Sequence, residues 1–294
     1  MMTLSGKQIQ KLGKRLKEAD ASAEDLALLD EFRREFDDRL LAISGDVSSA
    51  VHSAGIRYLL AGRAKRTKSI IRKLRRQANR DMDLSRMDDI VGLRVIVLDP
   101  VSQQDAIDVI RRANKEVREP FDYRHLPAGR YRAVHLVLGE PSRRVEVQVR
   151  TLAQHLWADA CERFGERAKE GDPTDDEQGY LDKLGAFCVG IDGGSVDGPA
   201  ASDFLGRYRV LHSGFTTPQA QGEQMHSYVV TYNTLTDQLV RCEKFPSTSE
   251  GRREALDFYK YQVSHLLDTE FDVLVLNSSS EAALRVTHPR YFPE

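Results

Sequence analysis

Residues 145–151 read Val-Glu-Val-Gln-Val-Arg-Thr, a strict alternation of apolar and polar side chains. Neighbouring side chains on a β-strand point to opposite faces. Val145, Val147 and Val149 therefore bury one face, and Glu146, Gln148 and Arg150 line the other. A carboxylate, an amide and a guanidinium in one row are costly to bury unless their face is wet or carries a charged ligand. Taken alone, the stretch is a half-exposed strand of an antiparallel sheet. Its surroundings add to that.

Apolar residues at three- and four-residue spacing predict helices over 5–45, and a helical reading extends over Ala54–Ala78 with an interruption near Gly62. Val91–Leu98 is a β-branched apolar run and predicts a buried strand. A turn at Pro100 and a helix over Ser102–Ala113 follow. Phe121–Arg130 is a loop, Ala133–Leu138 a strand, and Glu140-Pro141-Ser142 a turn, so that strand and the Val145 strand form a hairpin. Leu152–Phe164 predicts a helix. Beyond it, Gly, Asp, Pro and Ser cluster around a short helical patch, Tyr180–Val189, and Gly190–Ser202 reads as a linker. The remainder alternates strand (Ser227–Tyr232), strand (Gln238–Phe245), helix (Ser249–Leu267), strand (Phe271–Asn277) and short helix (Ser280–Thr287), the order of a small α/β sandwich. This divides the chain into a domain over 1–189, a linker over 190–204 and an accessory domain over 205–294.

With 294 residues, 40% hydrophobic and 30% charged, the chain is long enough for a sizeable core. Its three cysteines, Cys161, Cys188 and Cys242, are scattered, which argues against a disulfide framework or zinc site and suits a reducing compartment. Lacking an apolar signal core or a run of spanning length, it is expected to be cytoplasmic, with no membrane partner. The net charge of -2 hides a basic block: Arg63, Lys65, Arg66, Lys68, Arg72, Lys73, Arg75, Arg76 and Arg80 follow one another with no acid between. Such a block calls for an anion, with phosphate of a nucleotide or of a nucleic acid as the candidates.

Within the block, Lys65, Ser69 and Lys73 are spaced by four and would share one helical face, with Ile70, Ile71 and Leu74 anchoring the other. Arg63 falls near the expected helix start, where backbone N–H groups already favour anions. This set suits a triphosphate; the plainer alternative is a solvated basic face. In Asp88-Asp89-Ile90-Val91-Gly92-Leu93-Arg94, an acid opens a strand. Asp89 could be a turn former, or could join Glu146 of a neighbouring strand in a two-carboxylate Mg²⁺ site, the sparse oxygen set magnesium accepts beside substrate phosphates. Tyr131 and His135 share strand parity, and Tyr131, flanked by arginines, could stack a base. Toward the end, His212, His226, His265 and His288 lack ligand spacing, and Tyr259, Tyr261, Tyr291 and Phe292 read as packing residues.

In order, the segments Gly62–Leu74, Asp89–Arg94, Tyr131–His135, Val145–Thr151 and His155–Ala158 resemble the synthetase domain of the RelA/SpoT alarmone synthetases over roughly residues 40–170. The resemblance implies an α/β (α+β) fold, a nucleotidyltransferase-like mixed sheet flanked by helices, to which the small C-terminal sandwich would be added. It implies transfer of the β,γ-pyrophosphate of ATP to the 3′-hydroxyl of GDP or GTP, releasing AMP. Carried over position by position, Arg63, Lys65, Ser69, Lys73 and Arg94 would bind ATP, with Arg94 packing on adenine. Asp89 and Glu146 would hold Mg²⁺, with Glu146 also a candidate proton acceptor. Tyr131, His135, Gln148 and Arg150 would bind the acceptor. The loop Phe121–Arg130 is shorter than the family's and lacks its lysines and asparagine, so the acceptor stays open among guanosine nucleotides, adenosine nucleotides and the 3′ end of tRNA, the last two known from toxin-type relatives. Without a His-Asp dipeptide, no hydrolase activity is expected. Small relatives often form homo-oligomers, which the C-terminal extension could block, and residues 205–294 could instead be a regulatory or partner-binding domain.

Overall fold

The computed structural model describes residues 4–18, 20–76, 81–114, 117–126, 132–140, 143–164, 173–195, 201–220, 224–266 and 270–292. Three helices open the chain: α1 (Gly6–Glu18), α2 (Ala23–Arg34) and α3 (Asp37–Ser53). They are followed by β1 (Tyr58–Ala64), α4 (Thr67–Arg75), β2 (Val91–Val97), α5 (Pro100–Ala113), β3 (Val117–Asp122), β4 (Val134–Leu138), β5 (Val145–Thr151) and α6 (Leu152–Arg163). Then come α7 (Asp175–Asp192), α8 (Ala201–Thr216), β6 (His226–Asn233), β7 (Gln238–Phe245), α9 (Ser249–His265), β8 (Phe271–Ser278) and α10 (Glu281–Thr287).

Among the described residues the strands form one sheet in the order β3-β4-β5-β2-β1-β8-β6-β7. β2 and β5 run parallel, and the other pairs are antiparallel. The expected mixed sheet flanked by helices is therefore present. The expected order of C-terminal elements is also found, but its strands do not stand apart. β8 hydrogen-bonds to β1, with Ala61 opposite Ser278 and Arg63 opposite Leu276. The sheet thus runs unbroken from residues assigned to the first domain into those assigned to the second.

Each face of the sheet has its own cover. Val91, Leu93, Val95, Val145, Val147 and Val149 point toward α1–α5 and form the larger core with Leu12, Phe32, Leu40 and Ile70. At Gly62 a Cβ would come within 3.2 Å of Leu40 and 3.3 Å of Leu93, so the bare backbone lets α3 lie close on β1. On the other face Leu59 and Ile96 pack against α6, α7, α8 and α10. α6 starts directly where β5 ends: the Thr151 hydroxyl accepts from the Gln154 backbone N–H at 3.0 Å, and the Gln154 side chain returns to the Thr151 N–H, a reciprocal cap.

Three local readings need correction. Residues 58–64 are a strand, not helix, so only α4 remains of the helix expected over Ala54–Ala78. β3 occupies part of what reads as approach and loop to Arg130. The linker expected over Gly190–Ser202 is shortened from both sides, by α7 reaching Asp192 and α8 starting at Ala201. No helix among the described residues is long and apolar enough to cross a membrane.

Candidate active site

The register of the central strands assembles the polar row. Gly92 lies opposite Arg63 on β1 and opposite Glu146 on β5. One row along, Arg94 lies opposite Ala61 and Gln148, and Gln148 lies opposite His135 on β4. Side chains opposite one another project to the same face. That face floors a cavity of about 160 Å³ lined by Ala61, Arg63, Lys65, Asp89, Gly92, Leu93, Arg94, Glu146, Gln148, Arg150, Glu162 and His288.

The structure therefore brings Arg63, Lys65, Asp89, Arg94, Glu146, Gln148 and Arg150 to one place. Lys73 reaches the same cluster from α4, whose Ile70 and Leu74 are buried as the amphipathic pattern requires. Arg63 and Lys65 do not belong to that helix: Arg63 is on β1 and Lys65 just follows it, so the four-residue spacing to Ser69 and Lys73 is not a shared helical face. Ser69 sits on α4 and does not line the cavity. His135 joins through Glu146, while Tyr131 lies outside the described residues.

The charges are matched locally. The Lys65 ammonium donates to Asp89, and Lys73 Nζ donates to the same carboxylate oxygen, Oδ2, at 2.7 Å. Burial would raise the Asp89 carboxyl, but the two ammonium groups outweigh it and hold it below the usual carboxylate value. Burial, added to by Lys73 and opposed by Asp89, pulls the Lys65 ammonium down. Glu146 Oε1 is 3.0 Å from His135 Nδ1, and Glu146 Oε2 accepts from Gln148 Nε2 at 2.6 Å. Burial and the nearby Asp89 charge push the Glu146 carboxyl up, yet His135 and Gln148 hold it below its ordinary range. Arg150 Nη2 donates to Gln148 Oε1 at 2.7 Å, so polar contacts run along the whole row of β5.

Both carboxylates are thus ionised at neutral pH and face one cavity. Asp89 Oδ1 is buried without a hydrogen-bond partner, an arrangement that costs free energy unless something else approaches that oxygen. Among the described residues no three His, Cys, Asp or Glu side chains converge. Two oxygen donors, one of them open, fit a hard divalent cation that keeps waters and phosphate oxygens as its other ligands.

Residues without a sequence signal also contribute. Glu162 on α6 and His288 after α10 line the cavity, although His288 has no ligand spacing. Arg94 Nη2 lies 3.3 Å from Glu162 Oε1, and Nη1 donates to the Thr287 carbonyl at 2.5 Å. His155 Nε2 meets the Val286 carbonyl oxygen at 2.8 Å. Burial, reinforced by the neighbouring arginines, pushes both His155 and His288 far below the usual imidazole value, so both are neutral. Beside His135 the Tyr123 ring makes an edge contact at 5.2 Å, and Phe121 stacks on Tyr123 at 6.5 Å. Those aromatics lie on β3 and just after it, where the expected loop concealed them.

Residues 62–164 match the family described as the region found in RelA/SpoT proteins. Lys65, both carboxylates, Gln148, Arg150 and Glu162 of the cavity, and Lys73 beside Asp89, all fall within the matched stretch, whereas His288 lies outside it. An uncharacterized protein of Mycobacterium tuberculosis is 32% identical over 121 residues, 38% of this chain and 41% of that protein. A GTP pyrophosphokinase of Bacillus subtilis is 33% identical over 114 residues, 34% of this chain and 52% of that protein. The chain spans about half or less of these curated relatives. Among solved structures it is similar to the small alarmone synthetase 1 from Bacillus subtilis, with 23% identity and a TM-score of 0.48, over 64% of this chain and 100% of that one.

Proposed function

We propose that the chain is an ATP-dependent pyrophosphokinase that moves the β,γ-pyrophosphate of ATP to the 3′-hydroxyl of GDP or GTP and releases AMP, without hydrolase activity. The observation that carries this reading is that Asp89, in the turn before β2, and Glu146, on β5, share one cavity with Arg63 and Lys65, while Lys73 reaches Asp89. The relative from Bacillus subtilis named a GTP pyrophosphokinase supports the reaction class.

Lys65 and Lys73 bind the triphosphate, and Arg63 and Arg94 take the adenine end. Asp89 and Glu146 would hold Mg²⁺, which would supply charge neutralisation at the phosphate oxygens. The acceptor is held by Tyr131, His135, Gln148 and Arg150. Its 3′-oxygen attacks the β-phosphorus, the bond from that phosphorus to the α,β-bridging oxygen breaks, and AMP leaves with the electron pair. Glu146, kept ionised, accepts the hydroxyl proton. Transfer of this kind needs alignment and charge neutralisation more than an unusual nucleophile.

The test is incubation of the chain with γ-labelled ATP and Mg²⁺ beside GDP, GTP, ATP or deacylated tRNA in separate reactions. Label on the guanosine nucleotides is the expected result. Label on tRNA or an adenosine nucleotide alone would instead make the chain a toxin-type synthetase, and no label on any acceptor would end the transferase reading.

A further inference from the structure

The RelA/SpoT region ends at residue 164, yet part of the cavity wall comes from beyond it. Arg63 and Arg94 sit on adjacent antiparallel strands, one row apart on the same face. Two guanidinium groups so placed repel one another, and neither can shed its charge. Glu162 lines the same cavity as both. It pairs with Arg94, and it is the first of the charges, with Tyr291 and Asp272, that hold the Arg63 guanidinium above its ordinary value against the effect of burial.

The rest of the restraint comes from the end of the chain. The Thr287 carbonyl accepts from Arg94, leaving that side chain 11% exposed. The Tyr291 hydroxyl takes Arg66, and its ring lies under that guanidinium at 5.8 Å. This segment is a fixed wall rather than a plug. Ala283, Leu284, Val286 and Tyr291 are buried, and the Ser278 hydroxyl donates to the Leu60 carbonyl at 2.9 Å. Displacing so many apolar side chains would cost far more than moving one arginine.

We infer that Glu162 and the segment Thr287–Tyr291 act together as a clasp that positions Arg63 and Arg94, so that the base end of the nucleotide site is composite, built in part by chain beyond the RelA/SpoT region. This rests on the proposed function. Glu162 is a positioning residue: it acts through its pairing with Arg94 and sets the slot between the two guanidinium groups. The phosphate end depends on Lys65 and Lys73, which are held by Asp89 instead.

That separation supplies the test. Equilibrium binding of α,β-methylene-ATP and of inorganic tripolyphosphate is measured on the full chain and on Glu162→Ala and Glu162→Gln, with thermal melts confirming the fold. The clasp predicts that Glu162→Ala weakens the nucleotide analogue about tenfold or more while tripolyphosphate changes less than about threefold, with Glu162→Gln in between. If Glu162→Ala does not fold, the near-isosteric Glu162→Gln carries the same comparison. Equal losses for both ligands, or no loss for either, overturn the clasp alone. Failure of the unsubstituted chain to bind the analogue overturns the proposed function and the clasp together.

Discussion

Gly92 on β2 faces Glu146 on β5 and Arg63 on β1, so the one position of this row without a side chain lies between the carboxylate and the guanidinium. A Cβ at Gly92 would meet nothing closer than the Glu146 carbonyl oxygen at 3.9 Å. Gly92→Leu is therefore expected to fold, with a melting temperature within about 5 °C of the parent, while its side chain fills the cavity. Binding of an ATP analogue should fall at least about tenfold. Undiminished binding by Gly92→Leu would place the nucleotide elsewhere.

Glu146→Gln keeps the shape of the side chain but removes the charge that meets His135 at 3.0 Å. Single-turnover pyrophosphate transfer should drop by about 10²–10⁴, with affinity for the ATP analogue measured without Mg²⁺ little changed. Transfer at the parental rate would exclude Glu146 as proton acceptor.

Burial raises the Asp192 carboxyl to about 6, although Thr151 and Gln154 donate to it, and its Oδ1 has no partner. A carboxyl whose folded value lies above its unfolded value favours folding only while protonated. The benefit is complete below about pH 4 and is lost as pH rises through 6. Asp192→Asn should therefore be more stable than the parent at pH 7.5, by about 1–2 kcal/mol, and equal to it near pH 4. Denaturant melts at the two pH values decide; a constant difference would show that burial of the charge is not its source.

Leu276 on β8 is fully buried and lies opposite Arg63. Leu276→Ala should cost about 2–5 kcal/mol. Because the sheet is continuous, the loss should shift one cooperative transition for the whole chain. Calorimetry showing a second, unshifted transition would mean that residues before 190 unfold independently.

The alternation of Val145–Thr151, the buried run at Val91 and the amphipathic α4 were all legible because each records its local environment in its own spacing. β1 was not. Tyr-Leu-Leu-Ala-Gly-Arg-Ala has no β-branched residue and reads as helix; its partners β2 and β8 make it a strand. β3 was hidden by Pro120, which an edge strand tolerates. The joining of the C-terminal strands to β1 depends on contacts between residues about two hundred positions apart, which no local pattern encodes. The same limit explains the site. Lys65, Lys73, Asp89 and Glu146 could be named from motifs, whereas Glu162, His288 and the Thr287 carbonyl act through position alone.

The pairing of β1 with β8 also bears on how the molecule comes into being. A ribosome releases β1 long before it makes β8, so the growing chain carries an open edge beside a charged cleft until β8 arrives. The clasp on Arg94 can form only once Thr287 has emerged, so the finished nucleotide pocket waits for chain made long after the strands that carry Arg63 and Arg94.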